Sequence, residues 1–376
     1  MSDFTASPER LIIGALLGFA VLLFLIIKVK IQPFIAIMSS ALIIALVAGM
    51  PFSMITDTLA EGVGTTLQTI AILIGLGSMF GAILQVSGGV EVIADTLLKV
   101  FGEKKAPWAL GITGLIVGMP VFFESGLLIL IPVAFGIARK TKKSVFCYSI
   151  PLLAGLAIGH AFVPPTPGPL AAAGLLGIDI GRAIMYGAFA AVFMTVAGWI
   201  FAELFFKNKP DSYYTFRDSE EQEKEEAVSI DDDTDLPGTL ASLLPLVVPI
   251  VLILLNTTCG MLLPEDSAVM KIISFVGDSN IALAIGAILA IVTLGKRLGG
   301  KVILDVMDKT LKDAGPIVFI TSAGGALGQV LKVSGAGDSL AQGVIHTGLP
   351  FILIPFVISG LLKVVQGSGT VAVTTA

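Results

Sequence analysis

Gly118-Met-Pro-Val-Phe-Phe-Glu-Ser-Gly126 places a carboxylate, Glu124, inside an apolar part of the sequence. The apolar arms on its two sides, 107–117 and 127–138, are each too short to cross a bilayer, because a spanning helix needs about 20 residues. Basic residues precede the first arm and follow the second, and positive charge marks cytoplasmic loops. We therefore predict a re-entrant hairpin that enters from the cytoplasm and carries Glu124 near mid-membrane. The alternative is one long helix that Pro120 kinks.

The composition indicates a membrane protein along the whole chain. Of the 376 residues, 55% are hydrophobic and 14% are charged, whereas soluble domains carry about 25% charged residues. Apolar runs of spanning length recur throughout, so we predict an all-α polytopic membrane protein and no nucleic-acid partner. An intramembrane protease would need a nucleophile–base pair or a metal cluster. The chain has only 2 histidines and no His-Glu-x-x-His motif, so we predict no enzyme, no cofactor and no metal site.

The order of the spans predicts two halves joined by a linker. Residues 207–237 are polar and dense in Asp and Glu, and like charges repel one another and stay solvated, so this stretch is expected to be a cytoplasmic linker. The first half is predicted over 1–206 and the second, incomplete half over 238–376. Further predicted segments are the hairpin 107–138, a broken helix over 145–180, a final span over 183–206 and a second hairpin from 350.

The two halves share a pattern. Gly77–Gly88 reads Gly-x-x-x-Gly-x-x-Leu-x-Val-Ser-Gly, and Gly324–Gly335 repeats it in register. The polar stretch 51–66 is expected to stay outside, so that 67–86 runs inward while 315–333 runs outward. We therefore predict inverted repeats with discontinuous helices, an architecture typical of secondary transporters. The alternative is chance similarity between helices rich in small residues.

Four motifs resemble the gluconate permease (GntP) family. They are Pro120-Val-Phe-Phe-Glu-Ser-Gly126, Pro151-Leu-Leu-Ala-Gly-Leu156, His160-x-x-x-Pro-Pro-x-Pro-Gly-Pro169 and Gln366-Gly-Ser-Gly-Thr-Val-Ala372. The resemblance implies a bacterial inner-membrane proton symporter for gluconate or a related sugar acid, with a transport domain that moves like an elevator. It also leaves open a D-serine or glycerate carrier. For the coupling ion, the main alternative to the proton is sodium, in a sodium-coupled carboxylate symporter. The expected partners are a small anionic substrate, protons and the bilayer, and a homo-oligomer is left open.

The sequence departs from this family in two places. Thr166 stands where many relatives have a second histidine, which removes one candidate ligand. The chain ends at Ala376 inside an apolar segment, before any counterpart of the broken helix and final span of the first half. We therefore expect a truncated or degenerate copy, and we do not expect residues 1–376 alone to transport.

Glu124 is the first candidate for carrying the coupled proton. Desolvation at the hairpin tip favours its protonated form, and its ionised form would repel an anionic substrate. His160 is the second candidate, because imidazole titrates near physiological pH. An equally good alternative makes His160 a hydrogen-bonded core residue that holds the proline-rich loop.

Small and polar residues near the breaks are candidates for binding the substrate. Hydroxyl groups and exposed backbone amides at such tips suit an anion, as the N-termini of helices do. The candidates are Ser125, Gly126, Thr166, Gly168, Gln366, Gly367, Ser368 and Thr370. The alternative is that small residues there only permit tight turns and close packing.

Overall fold

The computed structural model describes residues 6–102, 105–141, 143–206, 236–264, 267–339 and 353–366. Within these ranges the chain forms helices and no β-strand. Glu124 and Gln366 are described by their backbone alone. The predicted linker up to residue 235 and the predicted site residues Gly367, Ser368 and Thr370 lie outside the described residues.

Short connections join the helices up to α9 and those from α10 to α14. In chain order they are α1 (Pro8–Leu23, continued by a π-helix, Phe24–Val29), α2 (Pro33–Ala48), α3 (Phe52–Val86), α4 (Gly89–Phe101), α5 (Ala106–Gly118), α6 (Phe123–Thr141), α7 (Phe146–Phe162), α8 (Pro167–Leu175), α9 (Ile180–Phe206), α10 (Thr239–Leu262), α11 (Ala268–Val276), α12 (Ser279–Thr293), α13 (Gly295–Leu298), α14 (Gly300–Ser334) and α15 (Leu353–Gln366).

The length and composition of these helices confirm the prediction of an all-α polytopic membrane protein. Among the described residues, 6 helices are long and apolar enough to cross a membrane, and 7 if one bent pair counts as a span. The bent pair is α11 and α12, which meet at 58°. The spans are Pro8–Val29, α3, Phe146–Leu175, α9, α10 and α14.

Helix ends in this chain coincide with residues that cannot continue a helix. Gly88 and Gly335, which follow α3 and α14, have φ angles of +76° and +78°, a conformation that glycine adopts at no steric cost. Prolines in the segment 163–166 end α7 and precede α8, because proline lacks the N–H that the next turn would need. The chain is also broken at 119–122, between α5 and α6. The re-entrant path of these two helices stays a prediction.

Helices α3 and α14 resemble each other beyond their sequence pattern. Each is 35 residues long. Near the end of each, a serine hydroxyl donates to a carbonyl one turn earlier, with Ser87 Oγ 3.1 Å from Leu84 O and Ser334 Oγ 3.4 Å from Leu331 O. Both helices extend well before the predicted spans 67–86 and 315–333, because their polar first halves also form helix.

The chain divides into two compact units. The first contains Met1–Gly75, Pro167–Ile178 and Lys312–Ala376. Its apolar core lies between α1, α2 and the second half of α14. Ser40 Oγ of α2 donates to Gly18 O of α1 over 2.8 Å. The first half of α3 lies against α14, since a Cβ added at Gly62 would come 2.6 Å from Ala326 Cα.

The second unit contains Leu76–Thr166 and Asp179–Leu311. Its core is built mainly by α4, α5, α6 and α7, with Tyr148 of α7 almost fully buried and its hydroxyl 2.8 Å from Thr141 Oγ1. Trp108 of α5 and Trp199 of α9 stack with ring centroids 4.4 Å apart, which joins α9 to this core. The predicted division at residues 206 and 238 stays a prediction.

Candidate functional site

Glycines bring the backbones of α5 and α7 into contact. A Cβ added at Gly114 would lie 2.5 Å from Leu152 O, and one added at Gly118 would lie 2.6 Å from Leu156 O. On α7, Gly155 and Gly159 face carbonyl oxygens of α5 in the same way. Because any side chain at these positions would collide with backbone, the glycines set the distance between the two helices.

This packing brings the break after α5 onto the last turns of α7. The rings of Phe122 and His160 have centroids 5.8 Å apart, and a Cβ at Gly118 would be 3.2 Å from His160 N. At the start of α6, a Cβ at Gly126 would lie 2.9 Å from Leu156 Cδ2. The structure therefore places His160 beside the chain segment that leads into Glu124.

Ser125 and Gly126 lie with Glu124 in the first turn of α6. Ser125 is half-buried, and the Gly126 N–H donates to Phe122 O over 2.9 Å. A helix N-terminus carries unpaired N–H groups and a partial positive charge. The first turn of α6 therefore has the chemistry to hold an anion.

The Thr166 side chain hydrogen-bonds to the backbone at the break between α7 and α8. Its side chain is only 1% exposed, and its hydroxyl lies 2.8 Å from His160 O and 3.1 Å from Val163 O. The last carbonyls of a helix have no partner inside the helix, so Thr166 satisfies groups that would otherwise be unpaired. Its single proton is engaged there, so the hydroxyl oxygen could only accept a hydrogen bond from a ligand.

The other predicted binding residues are distributed differently. Gly168 is buried in α8, which belongs to the first unit. Gln366 ends α15, and its side chain is outside the described part of the structure. The structure thus brings Ser125, Gly126, His160 and Thr166 together within the second unit, and the predicted contribution of 366–370 stays a prediction.

Sequence reasoning missed the part that Gly118 plays in the contact between α5 and α7. The regular spacing of glycines on α5 and α7 was a signal for close helix contact, but it does not reveal which helices face each other. Gly81 was part of the repeat pattern, and the structure shows a further reason for it: a Cβ there would collide with Pro120 O at the break.

Sequence reasoning also missed a partly buried carboxyl in α4. Helix α4 is not among the membrane spans found in the described residues. Glu91 has a buried Oε2 with no hydrogen-bond partner among the described residues. Burial raises the pKa of the Glu91 carboxyl above its ordinary value, and a hydrogen bond with its own backbone opposes that shift. Removal from water penalises the charged form, so Glu91 is a pH-sensitive group.

Comparison with known proteins settles the family. The model of the GntP family permeases matches residues 10–376. The chain belongs to the GntP permease family. An uncharacterized permease of Haemophilus influenzae is 39% identical over 372 residues, which is 97% of this chain and 76% of the relative. A gluconate permease of Pseudomonas aeruginosa is 34% identical over 369 residues, 97% of this chain and 80% of that protein.

A third relative bears on the location. The inner membrane permease YgbN of Escherichia coli is 34% identical over 376 residues, which is 98% of this chain and 82% of the relative. Together with the apolar spans, this makes the chain a multi-pass protein of the inner membrane. Its family and its relatives are permeases, which are transporters and not enzymes.

Proposed function

We propose that this permease carries gluconate or a closely related sugar acid across the inner membrane, coupled to the movement of protons. The observation that carries the proposal is the 34% identity with a gluconate permease over 97% of this chain. The chemistry of the second unit supports it, because the first turn of α6 offers backbone N–H groups and the Ser125 hydroxyl, and Phe122, just before this turn, contacts the His160 ring.

Coupling between proton and substrate would follow from the repulsion between the carboxylates of Glu124 and of the substrate. Two like charges about 4 Å apart repel by about 4 kcal/mol at an effective dielectric constant near 20. Protonation of Glu124 would remove that repulsion, so that the substrate anion and the proton bind together. Without the proton, affinity would fall by about a thousandfold. His160, close to Phe122 and hence to this turn, is the second proposed proton carrier.

We further propose that the two halves are inverted repeats and that transport follows an elevator motion. The matched lengths of α3 and α14 and the left-handed glycines after them support the repeat. Inverted repeats with broken helices place substrate sites at the ends of half-helices. We also propose Gly168, Gln366, Gly367, Ser368 and Thr370 as substrate-binding residues.

A binding screen tests the proposed substrate. Full-length protein in detergent would be titrated calorimetrically with gluconate, other sugar acids, glycerate and D-serine, with and without sodium. We expect gluconate or another sugar acid to bind most tightly, more tightly at acid pH and independently of sodium. D-serine or glycerate as the tightest ligand would contradict the substrate proposal, and a requirement for sodium would contradict proton coupling.

A pair of serine variants locates the site. Ser125→Ala would remove a proposed hydrogen bond to the substrate carboxylate, and such bonds contribute about 1.5–3 kcal/mol, so affinity should fall by about tenfold or more. Ser274→Ala on α11 is the matched control, because its hydroxyl donates to Lys271 O over 3.1 Å and to no other group in the described part of the chain. Equal affinities of the two variants would contradict the proposed site.

A further inference from the structure

A separate polar cavity lies within the second unit. It has a volume of 270 Å³ and lies between the start of α9, the end of α10 and α11. Asp179, Arg182, Asn256 and Thr257 form its polar side, and Met261 and Met270 form its apolar side. None of these residues belongs to the candidate site at the two helix breaks.

Opposite charges line this cavity without pairing. Asp179 Oδ1 accepts from the backbone N–H of Arg182 and from Thr257 Oγ1, both over 2.9 Å, so Asp179 caps α9. The Arg182 side chain is exposed. Among the described residues no ion pair or hydrogen bond engages its guanidinium. A ligand that carries both charges would complement the two side chains.

The surroundings of the cavity place it at the surface of the membrane. Helix α9 leads away from it towards Lys207 and Lys209, which mark the cytoplasm, so the cavity faces the opposite side. Tyr186 of α9 and Leu262 of α10 are 73% and 77% exposed. Such apolar exposure around charged groups is typical of the boundary between lipid chains and head groups.

Helix α11 supports the same placement. It is bent by 58° from α12, and its exposed face is apolar, with Val269, Ile272 and Phe275 each between 59% and 66% exposed. Lys271 adds an exposed charge to the same short helix. A helix with these features lies in the interface plane, with its apolar face against lipid.

We propose that this cavity binds the head group of a zwitterionic aminophospholipid of the outer leaflet. The Arg182 guanidinium forms a planar fork that matches a phosphate, and the Asp179 carboxylate accepts from the ammonium group. A lipid with only negative charge would be repelled by Asp179, and a choline head group has no N–H to donate. Met261 and Met270 contact the glycerol and the first carbons of the chains.

Native mass spectrometry of the detergent-purified, full-length protein tests the site. The protein would be titrated with phosphatidylethanolamine, phosphatidylglycerol and phosphatidylcholine. Arg182→Gln keeps the backbone N–H that Asp179 caps, and it should weaken phosphatidylethanolamine binding by about tenfold, as expected for losing a hydrogen bond to a charged group. Lys271→Gln is the matched control on α11 and should bind as the wild type does. Equal binding by both variants would overturn the proposal.

A second variant tests the zwitterionic character. Asparagine caps a helix as well as aspartate does, so Asp179→Asn should fold normally and lose the preference for phosphatidylethanolamine over phosphatidylglycerol. A wild-type protein without that preference would overturn the assignment. Gluconate and inorganic phosphate serve as soluble competitors and should not displace the lipid. Displacement by gluconate that Arg182→Gln abolishes would instead identify an outer substrate site and overturn the lipid proposal.

Discussion

Replacing Gly118 with alanine should push the end of α5 and the segment 119–122 away from α7. The new Cβ would lie 2.6 Å from Leu156 O, 3.1 Å from Leu156 Cα and 3.2 Å from His160 N. Ordinary contact begins near 3.4 Å, so one helix must move by several tenths of an ångström. All three neighbours are backbone atoms and cannot turn aside as a side chain would. Overpacking in a core costs about 1–3 kcal/mol, and we expect the upper part of that range.

Thermal unfolding in detergent, followed by size-exclusion chromatography, measures this cost. We expect Gly118→Ala to lower the apparent melting temperature by several degrees, because about 1 kcal/mol corresponds to about 2–4 °C in domains of this size. Gly64→Ala is the control, since Gly64 is exposed in the interior of α3 and its Cβ would meet no atom within 4 Å. That change should stabilise the helix by about 0.5–1 kcal/mol. Gly118→Ala with wild-type stability and transport would refute the close contact at this break.

Three other changes test separate parts of the account. Thr166→Val should destabilise the protein by about 1–3 kcal/mol in thermal unfolding, because His160 O and Val163 O lose their partner, whereas Thr166→Ser should keep most of the stability. Glu91→Gln should raise the melting temperature at pH 8 and not at pH 4. The pKa of Glu91 is raised in the folded protein. The folded state is therefore unaffected while the carboxyl is protonated, and it loses stability as the pH rises through that raised pKa. Equal effects at both pH values would contradict burial of Glu91. Gly62→Leu should impair folding, since even a Cβ there would come 2.6 Å from Ala326 Cα. Normal expression of this variant in the membrane would argue against the contact between α3 and α14.

The positions of the helix breaks could be predicted from the sequence because they follow from local chemistry. Prolines in 163–166 cannot continue a helix, and the Gly-x-Pro start of 118–126 divides two short apolar arms. The extent of α3 could not be predicted in this way. The polarity of residues 51–66 predicts a stretch outside the membrane, but polarity indicates contact with water and not the end of a helix. The helix continues from Phe52 to Val86 because nothing between them stops it.

The candidate site was predictable in its parts and not in its assembly. The sequence singled out His160 and Glu124 as titratable groups at breaks, but the contact of Phe122 with His160 depends on which glycine faces of α5 and α7 meet. The role of Thr166 as a cap could not be predicted for a similar reason. A threonine near prolines is equally suited to a ligand or to a cap, and only the distances to His160 O and Val163 O reveal the cap.

The most direct test of proton coupling is uptake of labelled gluconate by full-length protein in sodium-free proteoliposomes. The wild type should accumulate gluconate when the outside is acidic. Glu124→Gln should lose that accumulation and still exchange internal for external gluconate. Glutamine cannot carry the coupled proton, but it leaves the substrate site intact. Normal pH-driven accumulation by Glu124→Gln would contradict the proposed role of Glu124.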